Sequence, residues 1–246
     1  MTAYLALDSL FFIENRTQRQ RLARWMEISF MTEALEHVSG PSDLEDPRAA
    51  LRERYGPPLD LGLMAHIDYL HMHYADFIRR SPFCLLATSD LQGRPSVSPK
   101  GDQPGFVEVV DAHTILFPDR PGNNQIISMQ NIAVNPKVQL IFLVPGRLET
   151  LRVDGLASIS TDPDLLKRMS FRDKPPKSVV TIKVYEAFMH CGKSVIRAQL
   201  WDPSTQVAKG EMASIARVTK DICVDAPYSY EQMEELTPVI YQATLY

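Results

Sequence analysis

The chain reads as a mainly β (α+β) protein: six or seven short antiparallel strands forming a barrel or sandwich, flanking helices, and a helical N-terminal extension. Three observations carry this reading. The apolar period changes from about 3.6 to 2 near residue 82. From there to residue 190, alternating runs of strand length are punctuated by Gly, Pro, Asp and Asn. The strands are accompanied by few helices, which points away from a parallel α/β sheet.

The elements follow in order. Residues 1–40 are expected to be helical, with Leu22, Trp25, Met26, Phe30 and Met31 on an apolar face opposite Arg16, Arg19, Arg21 and Arg24. SGPSDLEDP (39–47) is a hinge, and DPRAALRERYG a short helix with Pro47 in its first turn and Gly56 at its end. Residues 60–79 are expected to form one helix, with Leu63, Ile67, Leu70, Tyr74 and Phe77 along one stripe. Strands are expected at 82–89 and 95–101, at 106–111 and 113–118, and at 137–146 and 149–161, with a last long strand at 178–190. Between them lie a helix at 125–135, stopped by Pro136, and a capped helix at 162–169. CGKSVIRAQLW (191–201) turns helical again, and TPVIYQATLY at the end reads as an extra strand or a loose end. This divides the chain into an extension (1–42), a barrel domain (43–220) and a tail (221–246).

Composition narrows the partners. The net charge of −4 lacks the Lys and Arg surplus that neutralises nucleic-acid phosphates. No apolar run approaches the roughly 20 residues that cross a bilayer. The first residues include Asp8 and Glu14 without a positive n-region, so a secretory signal is not expected and the cytoplasm is. Cys84, Cys191 and Cys223 share no C-x-x-C spacing and read as reduced thiols.

Two segments can carry chemistry. In SVSPKGDQPGFV, Pro99 removes a ladder donor, which places it at an edge or bulge open to a ligand, with Lys100 beside it. In LFPDRPGNN, Arg120 precedes Gly122, Asn123 and Asn124, which read as the opening of a helix whose free N–H groups attract an anion. An Arg fork clamps a phosphate, and Lys100 adds a point charge. Either loop alone reads more readily as an ordinary polar turn with solvated charges.

Together, SPFCLLAT, SPKGD, FPDRPGNN, NP at 135–136, ETLRVDGLA and HCGKSVIRAQLW resemble the FMN-binding split-barrel flavoproteins related to pyridoxamine 5′-phosphate oxidase, over about residues 47–218. The resemblance implies a split β-barrel that forms a homodimer with FMN at the subunit interface. It places Val97, Ser98 and Pro99 at the isoalloxazine edge and Lys100 at the phosphate or ribityl side. Phe117, Pro118 and Asp119 follow the ring, while Arg120, Gly122, Asn123 and Asn124 hold the phosphate. Lys193, Arg197 and Trp201 reach the partner's flavin, Trp201 being equally readable as interface packing. The implied activity is an FMN-dependent oxidation or reduction of a small molecule, with hydride passing through flavin N5. F420 or haem in the same barrel, or a non-catalytic flavin-binding module, are the alternatives. The chain departs from pyridoxamine 5′-phosphate oxidase itself at Ser96-Val97 and Asn123-Asn124, and continues as LWDPSTQVAKGEM where that enzyme has an Arg-rich substrate signature. Vitamin B6 phosphates are therefore not the expected substrate.

His66, His71 and His73 fall on the expected 60–79 helix but lack the further ligands of a zinc site. His190-Cys191 are adjacent at a strand end and point apart, so His190 is expected to position the turn before Lys193 rather than to activate a nucleophile.

Overall fold

Strand β1 (Phe83–Ser89) turns into β2 (Pro95–Gly101), and β3 (Glu108–Asp111) into β4 (Thr114–Pro118). Then come β5 (Lys137–Leu143), β6 (Thr150–Ser160) and β7 (Val179–His190). All pairings are antiparallel, in one sheet of order β2-β1-β5-β6-β7-β4-β3. Alternation decides the faces: Cys84 and Leu86, Val138, Leu140 and Phe142, Leu151 and Val153, and Val180 and Ile182 all turn inward and are buried. β2 and β3 end the sheet without pairing to each other, which makes this a barrel with a split. The strand boundaries match the expected ones to within a few residues.

The computed structural model describes residues 46–245, so the helical extension expected over 1–42 lies outside the described residues. The chain divides into two compact units, 1–58 and 59–246. In the first, α1 (Pro47–Tyr55) forms as read: the Asp46 carboxylate accepts from the Arg48 and Ala49 N–H groups, and Gly56 ends the helix at φ 69°.

β6 and β7 are the long strands, and each serves two neighbours. β6 pairs with β5 through Leu151–Leu156, whereas β4 pairs with the opposite half of β7, Val179–Lys183. The register between β6 and β7 shifts at Asp154/Gly155. A Cβ at Gly155 would stand 2.4 Å from Ile182 Cγ2 and 2.8 Å from the Lys183 carbonyl, so only glycine lets the two backbones close there.

The single helix expected over 60–79 is instead two: α2 (Asp60–Met64) and α3 (Met72–Arg80). Between them Ile67 exchanges both backbone hydrogen bonds with Ala187, covering the edge of β7 that β4 leaves open. A strand edge with unpaired groups outweighs the helical stripe. His71 then caps α3, its Nδ1 accepting the His73 N–H at 3.3 Å. The helix after β4 is α4 (Ile127–Val134), followed by α5 (Pro163–Arg168) after β6 and α6 (Lys193–Ala198) after β7. Buried Asn131 on α4 donates to Thr88 Oγ1 at 3.0 Å, and Asn135 donates to Ser89 Oγ at 3.0 Å, tying α4 to the end of β1.

The C-terminal segment is neither strand nor loose end. α7 (Ile215–Ile222) and α8 (Tyr230–Thr244) pack on each other, and Ala216 of α7 is buried. α7 runs across residues 220–221, where the sequence suggested a boundary. Ser229 and Gln232 make a reciprocal capping box at the start of α8.

Gly155→Ala is expected to cost about 1–3 kcal/mol through overpacking at the β6–β7 register shift, read as a lower melting temperature. An unchanged melting temperature would mean the backbones can part there.

Candidate functional site

The site begins with two prolines. Successive residues in an antiparallel strand turn their N–H and C=O groups to opposite sides. Pro95 and Pro99 have no N–H, so their side of β2 is the open edge of the sheet. Ser96, Ser98 and Lys100 face β1 with their backbones, and Val97 lies between the prolines with its backbone turned outward. Side chains alternate as well: Ser96, Ser98 and Lys100 are half-buried, while Val97 and Pro99 are exposed. Lys100 stands opposite Cys84 on β1. Burial pushes the Cys84 thiol up to about 12, the Lys100 charge opposing only weakly, so this cysteine is a core residue and not a nucleophile.

The second half comes from β4 and the loop after it. Phe117 is fully buried and meets Phe106 edge-on at 5.9 Å, so its ring belongs to the core and only its backbone is available to a ligand. Pro118 pairs with Val179 and is also buried. The Asp119 N–H donates to the Ser178 carbonyl at 2.9 Å, which fixes the strand's exit. There the far end of the sheet order meets β2. Lys100 Nζ lies 3.5 Å from Asp119 Oδ1, and Arg120 Nε lies 2.7 Å from Asp102 Oδ2. Arg120 Nη1 also donates to the Met169 carbonyl at 3.0 Å, and its guanidinium lies 5.9 Å from the Phe171 ring centroid.

These two cations differ in kind. The Asp102 carboxylate is 1% exposed and Arg120 16%, so theirs is a buried pair with further hydrogen bonding. Among the described residues Lys100 has one longer, partly solvated ion pair. Arg120 is built into the fold, and Lys100 can exchange its partner for a bound anion.

The Gly/Asn stretch does not open the helix. Asn123 Oδ1 accepts the Gln125 N–H at 3.1 Å, and Asn124 takes a left-handed φ of 56° with its Oδ1 accepting from Lys177 Nζ at 2.9 Å. Ile126 is also left-handed, at φ 47°, and α4 starts only at Ile127 without a side-chain cap. A β-branched residue in that region is strained by about 1–3 kcal/mol. The anion-attracting N–H groups are thus those of the first turn from Ile127, two to three residues later than read. Gly122 has an ordinary φ, and a Cβ added there would meet nothing within 4 Å. Its own surroundings do not demand glycine.

Lys193, Arg197 and Trp201 are not brought to this group by any contact within the described residues. Lys193 and Arg197 are exposed on α6. Trp201 Nε1 donates to the Arg147 carbonyl at 2.7 Å, and Gly192 packs tightly on Leu148. His190 ends β7 paired with Thr150, and Cys191 is exposed. His66 and His73 do not share a helix: His66 Nδ1 lies 2.8 Å from Glu186 and its ring stacks on Phe188 at 3.7 Å. Among the described residues no group of three or more His, Cys, Asp or Glu could hold a metal ion, and no helix is long and apolar enough to cross a membrane.

Sequence reasoning passed over Asp102, Phe171 and Lys177. Asp102 sat in plain view beside Lys100, and the basic, proline-containing FRDKPPK (171–177) was the signal for the other two.

A family model described as pyridoxamine 5′-phosphate oxidase matches residues 70–191. Solved structures with similarity include HupZ of Group A Streptococcus, 26% identical, TM-score 0.40, over 48% of this chain and 92% of that one. General stress protein 26 of Bacillus anthracis is 17% identical, TM-score 0.36, over 48% and 94%. HutZ, the heme storage protein of Vibrio cholerae, is 17% identical, TM-score 0.32, over 48% and 93%. No curated protein matches the chain.

Arg120→Ala is expected to cost about 3–5 kcal/mol in chemical denaturation, because it strands a buried carboxylate. Lys100→Gln is expected to cost less than about 1 kcal/mol. Equal losses would contradict the division of labour between the two cations.

Proposed function

The chain belongs, through residues 70–191, to the pyridoxamine 5′-phosphate oxidase-like family, and from that premise we propose that it is an FMN-dependent oxidoreductase acting on a small molecule as a homodimer. The observation that carries the reading is Lys100. It is a cation on the edge strand β2, its ion pair among the described residues being with Asp119 at 3.5 Å, and the loop after β4 leaves room at Gly122. These residues fit a flavin phosphate and its ribityl chain.

FMN, when bound, supplies the acceptance or donation of hydride at N5. The chain's own residues do the rest. Lys100 trades Asp119 for the phosphate, while Arg120, pinned by Asp102 and the Met169 carbonyl, fixes the loop that carries Pro121–Asn124. Val97 and Pro99 offer a flat, exposed edge to the ring system, and Ser98 a hydroxyl to the ribityl side. Lys193 and Arg197, exposed on α6, extend to the second protomer's site, where positive charge near N1 and C2=O favours the reduced ring. Trp201, held by the Arg147 carbonyl, covers that edge. No side chain is assigned as acid or base; orientation and electrostatic tuning are the protein's contribution.

The visible spectrum of the purified chain tests the cofactor. A two-band flavin spectrum, released on denaturation, is expected; a deazaflavin band, a Soret band, or protein that stays colourless with added FMN would overturn it. Lys100→Gln is then expected to weaken FMN by about tenfold or more and riboflavin hardly at all, since only FMN carries the phosphate. Equal weakening of both would place Lys100 away from the phosphate.

A further inference from the structure

One residue ahead of β7 clasps the loop after β4 at both its ends. The Lys177 N–H donates to the Asp119 carbonyl at 3.3 Å, and Lys177 Nζ donates to Asn124 Oδ1 at 2.9 Å. The sheet holds the Lys177 backbone in place. Pro118 pairs with Val179, the Asp119 N–H donates to the Ser178 carbonyl at 2.9 Å, and Pro176 and Ser178 on either side are buried. Lys177 itself is exposed, a compact charge on a flexible four-carbon stem. A fixed base with a movable cation suits a residue that reaches for a ligand.

Lys100, Arg120 and Lys177 all belong to this loop or touch it, and the first two are matched to carboxylates. Arg120 pairs with Asp102 and Lys100 with Asp119, whereas Lys177 is bonded to a neutral amide. A phosphate monoester brings about −1.5 to −2 charges at neutral pH. When Lys100 turns from Asp119 to such a group, the Asp119 carboxylate, 15% exposed, is left beside a second anion. One lysine does not offset both, and Arg120 is committed to the fold. Lys177 exchanges an amide oxygen for the phosphate and strands no carboxylate by moving. The two lysines also hold opposite ends of the loop, Lys100 at Asp119 and Lys177 at Asn124. Gly122, where an added Cβ would meet nothing within 4 Å, lies between those ends in the chain.

We propose that Lys177 is a second ligand of the phosphate monoester, closing on it from the Asn124 end of the loop while Lys100 holds the Asp119 end. The proposal rests on the FMN reading for the identity of the ligand and supplies the second cation that this reading lacks.

Dissociation constants of the full chain for FMN and riboflavin, with inorganic phosphate followed by phosphorus NMR, test it. Lys177→Gln is expected to weaken FMN about tenfold and riboflavin less than about twofold, since riboflavin carries no phosphate. Lys177→Arg keeps the charge and is expected to stay within about threefold of the wild type for FMN. Changing Lys100 and Lys177 together to Gln is expected to weaken FMN more than either change alone. A wild type that binds FMN, with Lys177→Gln weakening both flavins equally or neither, keeps the FMN reading and overturns this proposal, leaving Lys177 a clasp of the loop. A wild type that takes up neither flavin removes the FMN reading, and inorganic phosphate then decides. Phosphate binding that Lys177→Gln weakens keeps the two-lysine anion site; phosphate binding indifferent to that change, or none, overturns it too.

Discussion

The buried pair of Arg120 and Asp102 ties together parts of the sheet that no hydrogen-bond ladder joins. Asp102 follows the edge strand β2, Arg120 follows β4 next to the opposite edge, and 2.7 Å separates Nε from Oδ2. The split barrel is therefore closed at this point by charge instead of backbone. Charge in a place with a 1% exposed carboxylate is expensive unless fully paired. The guanidinium meets that demand with further contacts to the Met169 carbonyl and the Phe171 ring, which bring in the segment after α5. One residue thus orders three stretches far apart in sequence.

The candidate site is a consequence of that closure. With Arg120 committed to the fold, the neighbouring Lys100–Asp119 contact can be loose, and a loose cation at an open strand edge can accept an incoming anion. The prolines of β2 keep the edge from pairing with another strand. The strained turn at Asn124 and Ile126 delays α4 and leaves the loop ahead of it extended past Gly122.

Much of the fold was legible because strand periodicity and turn residues are local signals. PSVSPKG and its hairpin partner were readable to within one residue, and Pro99 alone announced an edge. What failed was decided at a distance. The Leu63–Phe77 stripe satisfies a helix until the open edge of β7 claims Ile67, and no window around residue 67 contains Ala187. The C-terminal α8 carries a Ser229–Gln232 capping box in its sequence, but Pro238 inside the helix reads locally as a breaker. In the site, the residue types Lys100 and Arg120 were recognisable, whereas their division into a loosely and a tightly paired cation depends on Asp102, whose partner stands 18 residues away across the sheet. Likewise Ile126 gives no local hint of a left-handed turn, which is why the helix start was read too early.

The central claim is that Asp102 and Arg120 act as one closing unit. A double-mutant cycle of Asp102→Asn and Arg120→Gln in chemical denaturation measures it directly. The account predicts that each single change is strongly destabilising and that the double change costs far less than their sum, with a coupling of about 2–3 kcal/mol. Strictly additive losses, with coupling within about 0.5 kcal/mol of zero, would show that the barrel closes without this pair.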